Sequence, residues 1–360
     1  MTAVRSRSGI TLVLVCELLA IAVLAQPAAA RRQAGTIIAL PYWYLNGGTD
    51  AVLARPGLVS TTSPWLYGLD SDGNVVRQRG ARGTNVDTQL DRLRSTGVLL
   101  VPTLANVVDG RWRPDLVARL LHDPDARRRH AREIAELVRA RAYAGIDIDY
   151  EELRGADRDV FTAFLRELKE YLRADGKTLS VEVFAKTTDA GYDERNRAQD
   201  YAAIGAVADQ VRVMAYDFHW PGSAAGPIAP LPWVRDVLGY VTTQVPAAKV
   251  VLGIPGYGYD WRRGRGHPLS WAQAFERSQE AGVRVEWDSS TESPHFRYQD
   301  KDGTWHDVWF ENAYSAATKF DLAREFGVGG ISLWLYGPQD DLLWTKLSTH
   351  WLGPKTGSGR

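Results

Sequence analysis

Short apolar segments alternate along the chain with longer segments whose apolar residues recur every three to four positions. The short segments are typical of β-strands, and the longer ones of amphipathic helices. Several short segments, such as Val98-Leu99-Leu100-Val101, are apolar on both faces, as parallel strands covered by helices are. The pattern predicts eight strands, at Thr36–Tyr44, Ser63–Leu69, Val98–Ala105, Gly145–Glu151, Leu179–Ala185, Val211–Asp217, Val250–Tyr257 and Gly330–Tyr336.

Helical periodicity separates these strands, so the chain reads as a series of βα units. Eight such units predict an α/β protein with a closed (β/α)8 TIM barrel. A doubly wound open sheet is the alternative fold, but it usually carries a glycine-rich phosphate turn after its first strand, and none follows Tyr44. The clearest helical segments are Val86–Ser95, Pro114–Ala142, Asp159–Ala174, Trp233–Gln244 and Tyr314–Phe326.

The chain is longer than a barrel requires, which is roughly 250 residues. Much of the surplus lies between strand seven and helix seven, at about residues 262–310, where helix and strand patterns with a turn at Asp302-Gly303 predict a small α+β insertion. We expect this insertion to form one wall of a groove. A surface loop that touches no ligand is the alternative.

The first thirty residues have the order of a secretory signal peptide: Arg5 and Arg7, an apolar run, then small residues up to Ala30. We therefore predict a signal peptide at 1–30, a catalytic domain at 31–352 and a disordered tail at 353–360. The expected location is secreted, extracellular or in the cell wall of a bacterium. An uncleaved membrane anchor is the alternative.

Composition narrows the classes of partner. Lys and Arg together number 43 and equal Asp and Glu at 43, which argues against nucleic acid or an anionic membrane surface. We expect no membrane contact after signal cleavage, and a monomer. The single cysteine excludes an intrachain disulfide, and the 13 Trp and 15 Tyr offer flat faces that suit sugars.

The fourth strand carries the candidate chemistry. Side chains alternate along a strand, so Asp147, Asp149 and Glu151 share one face. Three carboxylates inside a barrel repel each other and lose hydration, and no requirement of folding explains them. One alternative is an edge strand whose acids face water. Another is a Mg²⁺ or Ca²⁺ site at Asp147 and Asp149, but no further ligands cluster there, and we expect no metal and no cofactor.

Glu151 ends the strand at the mouth where barrel enzymes do chemistry. Close carboxylates share protons, so we predict that Glu151 is protonated and acts as a general acid. Glu152 is expected to point to the opposite face and receives no role. Asp149 and Glu151 approach a substrate from the same side, whereas ordinary glycosidases place their two carboxylates on opposite sides. A 2-acetamido group on the substrate can supply the missing nucleophile, with Asp149 orienting it, which indicates an N-acetylated amino sugar.

The segment around these acids resembles glycoside hydrolase family 18, the chitinases and related N-acetylglucosaminidases. Gly145 followed by Asp147-Ile148-Asp149-Tyr150-Glu151 is similar to the family's Asp-Gly-x-Asp-x-Asp-x-Glu signature, with Ala144 in place of its first Asp. The resemblance spans about residues 36–350. Three further motifs carry it: Met214-Ala215-Tyr216-Asp217, Gly253-Ile254-Pro255-Gly256-Tyr257-Gly258 and Gly330-Ile331-Ser332-Leu333-Trp334.

The resemblance implies a retaining, substrate-assisted mechanism and assigns the site residue by residue. Ala144 lies outside the alternation of the three acids, so its substitution need not disable catalysis. It leaves in doubt any proton network through that position. The implied catalytic residues are Glu151 as acid/base, Asp149 on the acetamide, Asp147 sharing its proton and Tyr216 on the acetamido carbonyl. The implied substrate-binding residues are Asp217, Met214, Trp334 and Tyr257.

Two further segments, Pro227–Trp233 and Val308–Ala313, look closest to bacterial spore-cortex and cell-wall N-acetylglucosaminidases. The implied function is a secreted glycosidase (EC 3.2.1.-) of β-1,4-linked N-acetylglucosamine polymers, with peptidoglycan and chitin both open as substrate. The alternative is a lectin-like barrel that binds such polysaccharides without cleaving them. Family members of that kind typically lose the acid that Glu151 supplies.

Overall fold

The structure is a computed structural model that describes residues 35–354. Eight parallel strands form a closed barrel, in which the first strand pairs with both the second and the last. Helices surround the barrel, so the predicted (β/α)8 fold is confirmed. The strands are β1 (Gly35–Pro41), β2 (Thr61–Leu69), β3 (Thr103–Ala105), β4 (Gly145–Asp149), β5 (Thr178–Phe184), β6 (Gln210–Met214), β7 (Val250–Gly256) and β8 (Gly330–Leu335).

The long helices that follow the barrel strands bury an apolar stripe against the outer face of the barrel. The helix Arg158–Ala174 shows the pattern, because Phe161, Leu165, Leu168 and Leu172 recur at helical spacing and are buried. The helices are Leu45–Leu53, Thr84–Ser95, Pro114–His122, Pro124–Ala140, Arg158–Ala174, Glu194–Arg197, Tyr201–Val207, Leu231–Gln244, Trp271–Glu280, Ala313–Phe326 and Leu342–Lys346.

Several predicted elements end earlier than the pattern indicated: the fourth strand ends at Asp149 and not at Glu151, and the sixth ends at Met214 and not at Asp217. Two further differences are larger. The first strand stops at Pro41, and residues Tyr42–Tyr44 form a single 3₁₀ turn that leads into an unpredicted helix. The aromatic residues after Pro41 imitate a strand in sequence, but they line the mouth of the barrel. The predicted helix Pro114–Ala142 is two helices, because Pro124 lacks an N–H and the Asp123 side chain accepts from the backbone of the second helix.

The predicted third strand is also interrupted. Leu99–Leu100 pairs with β2 as one short piece, and β3 follows after Val101 and Pro102. Proline cannot donate a ladder hydrogen bond, which explains the break. Two small additions were not predicted. Val75–Arg77 pairs antiparallel with β2, and residues 107–112 form a short hairpin.

The predicted α+β insertion lies between β7 and the helix Ala313–Phe326. A five-stranded antiparallel sheet packs against the helix Trp271–Glu280 through Leu269, Ala274, Phe296, Val308 and Phe310. The sheet begins at Gly258, where a Cβ would lie 2.3 Å from the carbonyl oxygen of Trp309. Its strands are Gly258–Arg262, Arg265–Leu269, Glu286–Asp288, Ser293–Gln299 and Trp305–Phe310.

The insertion returns to the barrel through a buried ion pair. The backbone N–H of Glu311 donates to the carbonyl oxygen of Tyr257 at 3.0 Å. The Glu311 carboxylate lies 2.9 Å from the ammonium of Lys319, and both side chains are almost fully buried. The end of the insertion is therefore tied both to the exit of β7 and to the helix that follows.

The chain termini lie outside the described residues. These include the predicted signal peptide at 1–30 and all but the first two residues of the predicted tail at 353–360, so both stay predictions. Of the helices in the described part of the chain, none has the length and apolar character that a membrane crossing requires.

Candidate active site

The three predicted acids form a row that begins on β4 in the barrel interior and ends just beyond the strand, at the mouth of the barrel. Asp147 is fully buried and Asp149 is 7% exposed, and Glu151 follows just after the strand ends. The hydroxyl of Thr103, its neighbour on β3, donates to Asp147 Oδ2 at 3.0 Å. The indole N–H of Trp65 on β2 donates to Asp149 Oδ2 at 3.2 Å.

Burial and mutual repulsion raise the pKa values of the upper two acids, Asp149 and Glu151. Burial, and then the charge of Asp147, raise the pKa of Asp149 to about 7, while hydrogen bonds from Trp65 and Glu151 oppose the shift. Burial, followed by the charge of Asp149, raises the pKa of Glu151 well above its ordinary value. A carboxyl that is protonated near neutral pH at the mouth of a cleft is suited to general acid catalysis.

The backbone of Glu151 is fixed by one buried side chain. The amide oxygen of Asn106 accepts from the Glu151 N–H at 2.9 Å, and its amide nitrogen donates to the Glu151 carbonyl at 2.8 Å. The next residue, Glu152, has a left-handed φ of 61°, so the chain turns sharply there. That turn places the Glu152 side chain on the cleft wall, 2.9 Å from Arg195, and the expectation that it points away is wrong.

The end of β6 supplies Met214, Tyr216 and Asp217 to the same cleft. Asp217 has a left-handed φ of 57°, and its Oδ1 accepts from the hydroxyls of Tyr257 at 2.6 Å and Tyr259 at 2.9 Å. Desolvation raises the pKa of Asp217, and the two tyrosine hydroxyls oppose this shift. Burial raises the pKa of Tyr216 well above its ordinary value, so its phenol stays a neutral donor.

An aromatic floor lies beside the acids. Trp334, near the end of β8, is half-buried, and its ring centre is 6.4 Å from that of Trp65 at an angle of 88°. Trp43, half-exposed, lies edge-on to both rings and also to Tyr336. The indole that holds Asp149 therefore belongs to the same aromatic group as Trp334.

On the other side of Glu151 a cleft of about 640 Å³ opens between the barrel rim and its loops. Several of its aromatic side chains are exposed, which suits a ligand with flat apolar faces. The cleft is lined by the five residues already named, Glu151, Glu152, Met214, Tyr216 and Asp217. It is also lined by Trp112, Phe184, Ala185, Tyr192, Asp193, Arg195, Asn196, Phe218, Trp220, Pro221 and Trp233.

One wall of the cleft, the segment 187–199, is held by a buried lysine. The ammonium of Lys186 is fully buried and donates to the carbonyl oxygens of Asp189 at 3.2 Å, Asn196 at 3.2 Å and Gln199 at 2.6 Å. It also lies 4.6 Å from the ring centre of Tyr201. A single buried charge thus binds the wall at three of its backbone carbonyls.

The structure thus brings all eight predicted site residues to the C-terminal end of the barrel, and it adds five that the sequence reasoning missed. Glu182 and Arg212 belong to the group because Arg212 lies 3.2 Å from Asp147 and 3.7 Å from Glu182 in the barrel interior. Both are polar residues that interrupt apolar strands, and Tyr259 follows Tyr257 at strand spacing, so these three carried a usable signal. Trp65 and Asn106 carried none. Among residues 35–354, no group of three or more His, Cys, Asp or Glu side chains is arranged to hold a metal ion.

A parallel barrel whose buried acids lead to a protonated carboxyl, at the mouth of an aromatic cleft, has the fold and site of a glycosidase. Residues 112–338 match the model of the family Glycosyl hydrolases family 18, and the chain belongs to that family. The resemblance that the four motifs carry is therefore confirmed, and with it the class of enzyme.

The relatives are bacterial lytic enzymes and chitinases. The chain is 33% identical over 296 residues to the cortical fragment-lytic enzyme of Bacillus subtilis, covering 79% of this chain and 68% of that protein. The spore cortex-lytic enzyme SleL of Bacillus cereus superposes with a TM-score of 0.80 at 26% identity, over 89% of this chain and 75% of SleL. A chitinase of Chromobacterium violaceum has a TM-score of 0.80 at 29% identity, and the superposition covers 87% of this chain and 98% of the chitinase. The chain spans about two thirds of the length of the first bacterial relatives it matches.

Proposed function

We propose that this protein hydrolyses β-1,4-linked N-acetylglucosamine polymers with retention of configuration, using the substrate's own acetamido group as nucleophile. The observation that carries the proposal is that Asp149 ends the strand and Glu151 follows two residues later, so that both acids approach the sugar from one side. A carboxylate nucleophile on the opposite face is then unnecessary, because a neighbouring acetamide can attack the anomeric carbon.

In the first step, Glu151 donates its proton to the glycosidic oxygen while the acetamide carbonyl oxygen bonds to the anomeric carbon. The bond to the leaving sugar breaks, and the resulting oxazolinium carries a positive charge. Asp149 as a carboxylate accepts the acetamide N–H and balances that charge. In the second step Glu151, now ionised, takes a proton from water, which attacks the anomeric carbon and restores the acetamide.

The remaining residues hold the reacting sugar. Tyr216 keeps its proton and can donate to the acetamide carbonyl oxygen. Asp217, held by the two tyrosine hydroxyls, can accept from a sugar hydroxyl. Trp334 offers an indole face beside Asp149 for the apolar face of the sugar, and Met214 and Tyr257 fill the space around it.

Peptidoglycan is the substrate we propose first, supported by the identity of 33% with the cortical fragment-lytic enzyme of Bacillus subtilis. Chitin is the second candidate, supported by the TM-score of 0.80 with the chitinase of Chromobacterium violaceum. The competing idea of a lectin-like barrel is disfavoured because Glu151 is present and oriented by Asn106.

We also propose that the protein acts outside the cell, as a monomer, on a polysaccharide partner. Support for export is the arginine-flanked apolar run that ends in small residues near Ala30. The balanced charge supports a neutral glycan partner over nucleic acid.

The decisive variant is Glu151→Gln, assayed on chitooligosaccharides and on purified peptidoglycan. Loss of the general acid should lower kcat about 10²–10⁴-fold on whichever polymer the wild type cleaves. The matched control is Glu325→Gln, which removes a carboxyl from a pair with Arg235 on the outside of the barrel and should leave the rate unchanged. An unaffected rate in Glu151→Gln would remove this residue from the mechanism.

A second substrate test addresses the nucleophile directly. Oligosaccharides that are de-N-acetylated at the reacting sugar should bind but not be cleaved, because the attacking oxygen is missing. Cleavage of such a chain at a rate close to that of the acetylated one would refute the substrate-assisted step, while leaving hydrolysis itself in place.

A further inference from the structure

Below Asp149 the barrel interior contains a second charged cluster, built on three neighbouring strands. Arg212 on β6 lies in register with Glu182 on β5. Asp147 on β4 lies in register with Ser180, two residues before Glu182 on the same strand. Because residues two apart on a strand share a face, Asp147, Glu182 and Arg212 all point into the barrel at neighbouring levels.

The guanidinium of Arg212 spans the interior. Its Nη1 donates to the hydroxyl of Ser63 on β2 at 2.7 Å, across the barrel from β6. The same nitrogen lies 3.2 Å from Asp147 Oδ2 and 3.7 Å from Glu182 Oε1. The side chains of Arg212 and Asp147 are fully buried, and that of Glu182 is 13% exposed.

A buried ion pair is weak evidence for folding stability, because its members lose their hydration and replacing the pair by apolar groups of similar volume is often neutral or stabilising. The apolar packing of these strands lies on their other face, where Val181, Val183, Val211 and Val213 are fully buried. The position of the cluster directly beneath the acids that do the chemistry therefore suggests a role in the reaction.

The titratable and charged groups that face one another here come from three strands and from the residues two after β4 and two after β6. They are Asp147, Asp149, Glu151, Glu182, Arg212 and Tyr216. Among residues 35–354, Arg212 is the only cation within 4 Å of Asp147. Four carboxyls thus share one permanent positive charge at the top of the barrel interior.

We propose that Arg212 and Glu182 are positioning residues that act through Asp147: they fix the charge and orientation of its carboxylate, and thereby allow Asp149 to ionise when it meets the acetamide. This inference rests on the proposed function for its catalytic part only. Arg212 supplies the balancing charge, and Glu182 supplies a hydrogen-bond donor from the neighbouring strand.

The protonation of Glu182 follows from its surroundings. Burial, and then the charge of Asp147, raise the pKa of Glu182 well above its ordinary value, while Arg212 opposes the shift. A protonated carboxyl can donate to Asp147, whereas an ionised one would repel it. The hydroxyl of Thr103 then donates to Asp147 from one neighbouring strand, a neutral Glu182 lies on the other neighbouring strand, and Arg212 balances the charge of Asp147.

The charge is tested with Arg212→Met and Arg212→Lys. Removing a positive charge within about 4 Å of Asp147 leaves the acids above it harder to ionise. The acidic limb of the pH profile, in which kcat falls as pH is lowered, should therefore move to higher pH by about one unit. We expect a kcat reduced at least about tenfold at neutral pH with a nearly unchanged KM, and partial rescue by lysine. An unshifted acidic limb in Arg212→Met would overturn the proposal.

The donor is tested with the pair Glu182→Gln and Glu182→Leu. Glutamine keeps a donor of the same size and should retain the wild-type acidic limb, whereas leucine should shift it upward in the direction of Arg212→Met. Equal behaviour of the two variants would contradict the assigned donor role. The matched control is Lys319→Met with Glu311→Gln, which removes a buried ion pair outside the barrel interior and should leave the limb in place.

A readout without turnover separates this inference from the proposed function. The infrared band of protonated carboxyls is followed with pH in the substrate-free proteins, each checked for its fold by circular dichroism. In Arg212→Met the buried carboxyls should lose their protons at a higher pH than in the wild type. If the wild type cleaves no polymer but this shift is observed, the proposed function fails and the charge coupling stands; if no shift is observed, the inference fails.

Discussion

Arg195 lies between two acids on the cleft wall, Glu152 and Asp193, and its charge affects the pKa of Glu151 without direct contact. It lies 2.9 Å from Glu152 and 2.7 Å from Asp193, and its guanidinium is 5.1 Å from the ring centre of Phe184. The charge of Glu152 raises the pKa of Glu151, and that of Arg195 lowers it. The two side chains therefore tune the same proton in opposite directions.

This opposition gives a prediction with a sign. Glu151 must be protonated to act as the acid, so activity falls as pH rises through its pKa. Arg195→Met should raise that pKa and move the alkaline fall of kcat to higher pH, whereas Glu152→Gln should move it to lower pH, each by less than about one unit because both side chains are partly exposed. Shifts of the same sign in both variants would contradict the coupling. Arg197→Gln, in an exposed pair on the same segment, is the matched control.

At the scale of single elements, Glu151, the proposed catalytic acid, owes its position to the loop after β3 as much as to the strand that precedes it. Asn106 is fully buried and makes two hydrogen bonds to the backbone of Glu151. Without them the turn at Glu152 would lose its anchor, because its left-handed backbone is not a conformation that glutamate prefers.

We therefore expect Asn106→Leu to lower kcat about 10- to 100-fold with little change in KM, and to lower the free energy of unfolding by about 2 kcal/mol for the two unpaired backbone groups. Enzyme kinetics and urea unfolding measure both effects. Asp123→Ala, which removes a helix cap that does not line the cleft, should cost about 1 kcal/mol and leave kcat unchanged. An Asn106→Leu enzyme that is as active as Asp123→Ala would show that Glu151 does not need this anchor.

Particular elements show which parts of the fold and the site the sequence can predict. The period of two along a strand predicts that the three acids share one face, and the apolar residues around them predict that this face is the inward one. It cannot predict Trp65 or Asn106, whose contacts depend on how β2 and β3 lie beside β4 in three dimensions. The end of β1 was predicted too late for a similar reason. Tyr42, Trp43 and Tyr44 continue the apolar pattern of the strand, but they form a turn whose aromatic rings pack at the barrel mouth.

For the molecule as a whole, the buried acids have a thermodynamic cost that depends on pH. The pKa values of Asp149, Glu151, Glu182 and Glu311 are all raised in the folded protein, chiefly by burial. In the unfolded chain such groups lose their protons near pH 4. Between these limits the folded state binds more protons than the unfolded state, so its stability falls as pH rises.

We predict that the free energy of unfolding decreases from pH 5 to pH 8, by about 1.4 kcal/mol per pH unit for each extra proton that the folded state holds. Urea unfolding at several pH values measures this slope. Glu182→Gln removes one of these protons and should make the slope shallower. Acids with lowered pKa values, such as Asp87, titrate below this range and do not offset it. A stability that is constant or rising over the range would show that these carboxyls are ionised in the folded protein.

The anchoring of the segment 187–199 by Lys186 has a consequence for how such an enzyme can diversify. The ammonium group binds the segment near both of its ends, at Asp189 and at Asn196 and Gln199, and leaves the residues between them to face the cleft. Mutations or insertions within that stretch can alter which side groups on a glycan are tolerated, while the acids of β4 are inherited unchanged. Substrate preference and bond breakage are in this way separately open to natural selection.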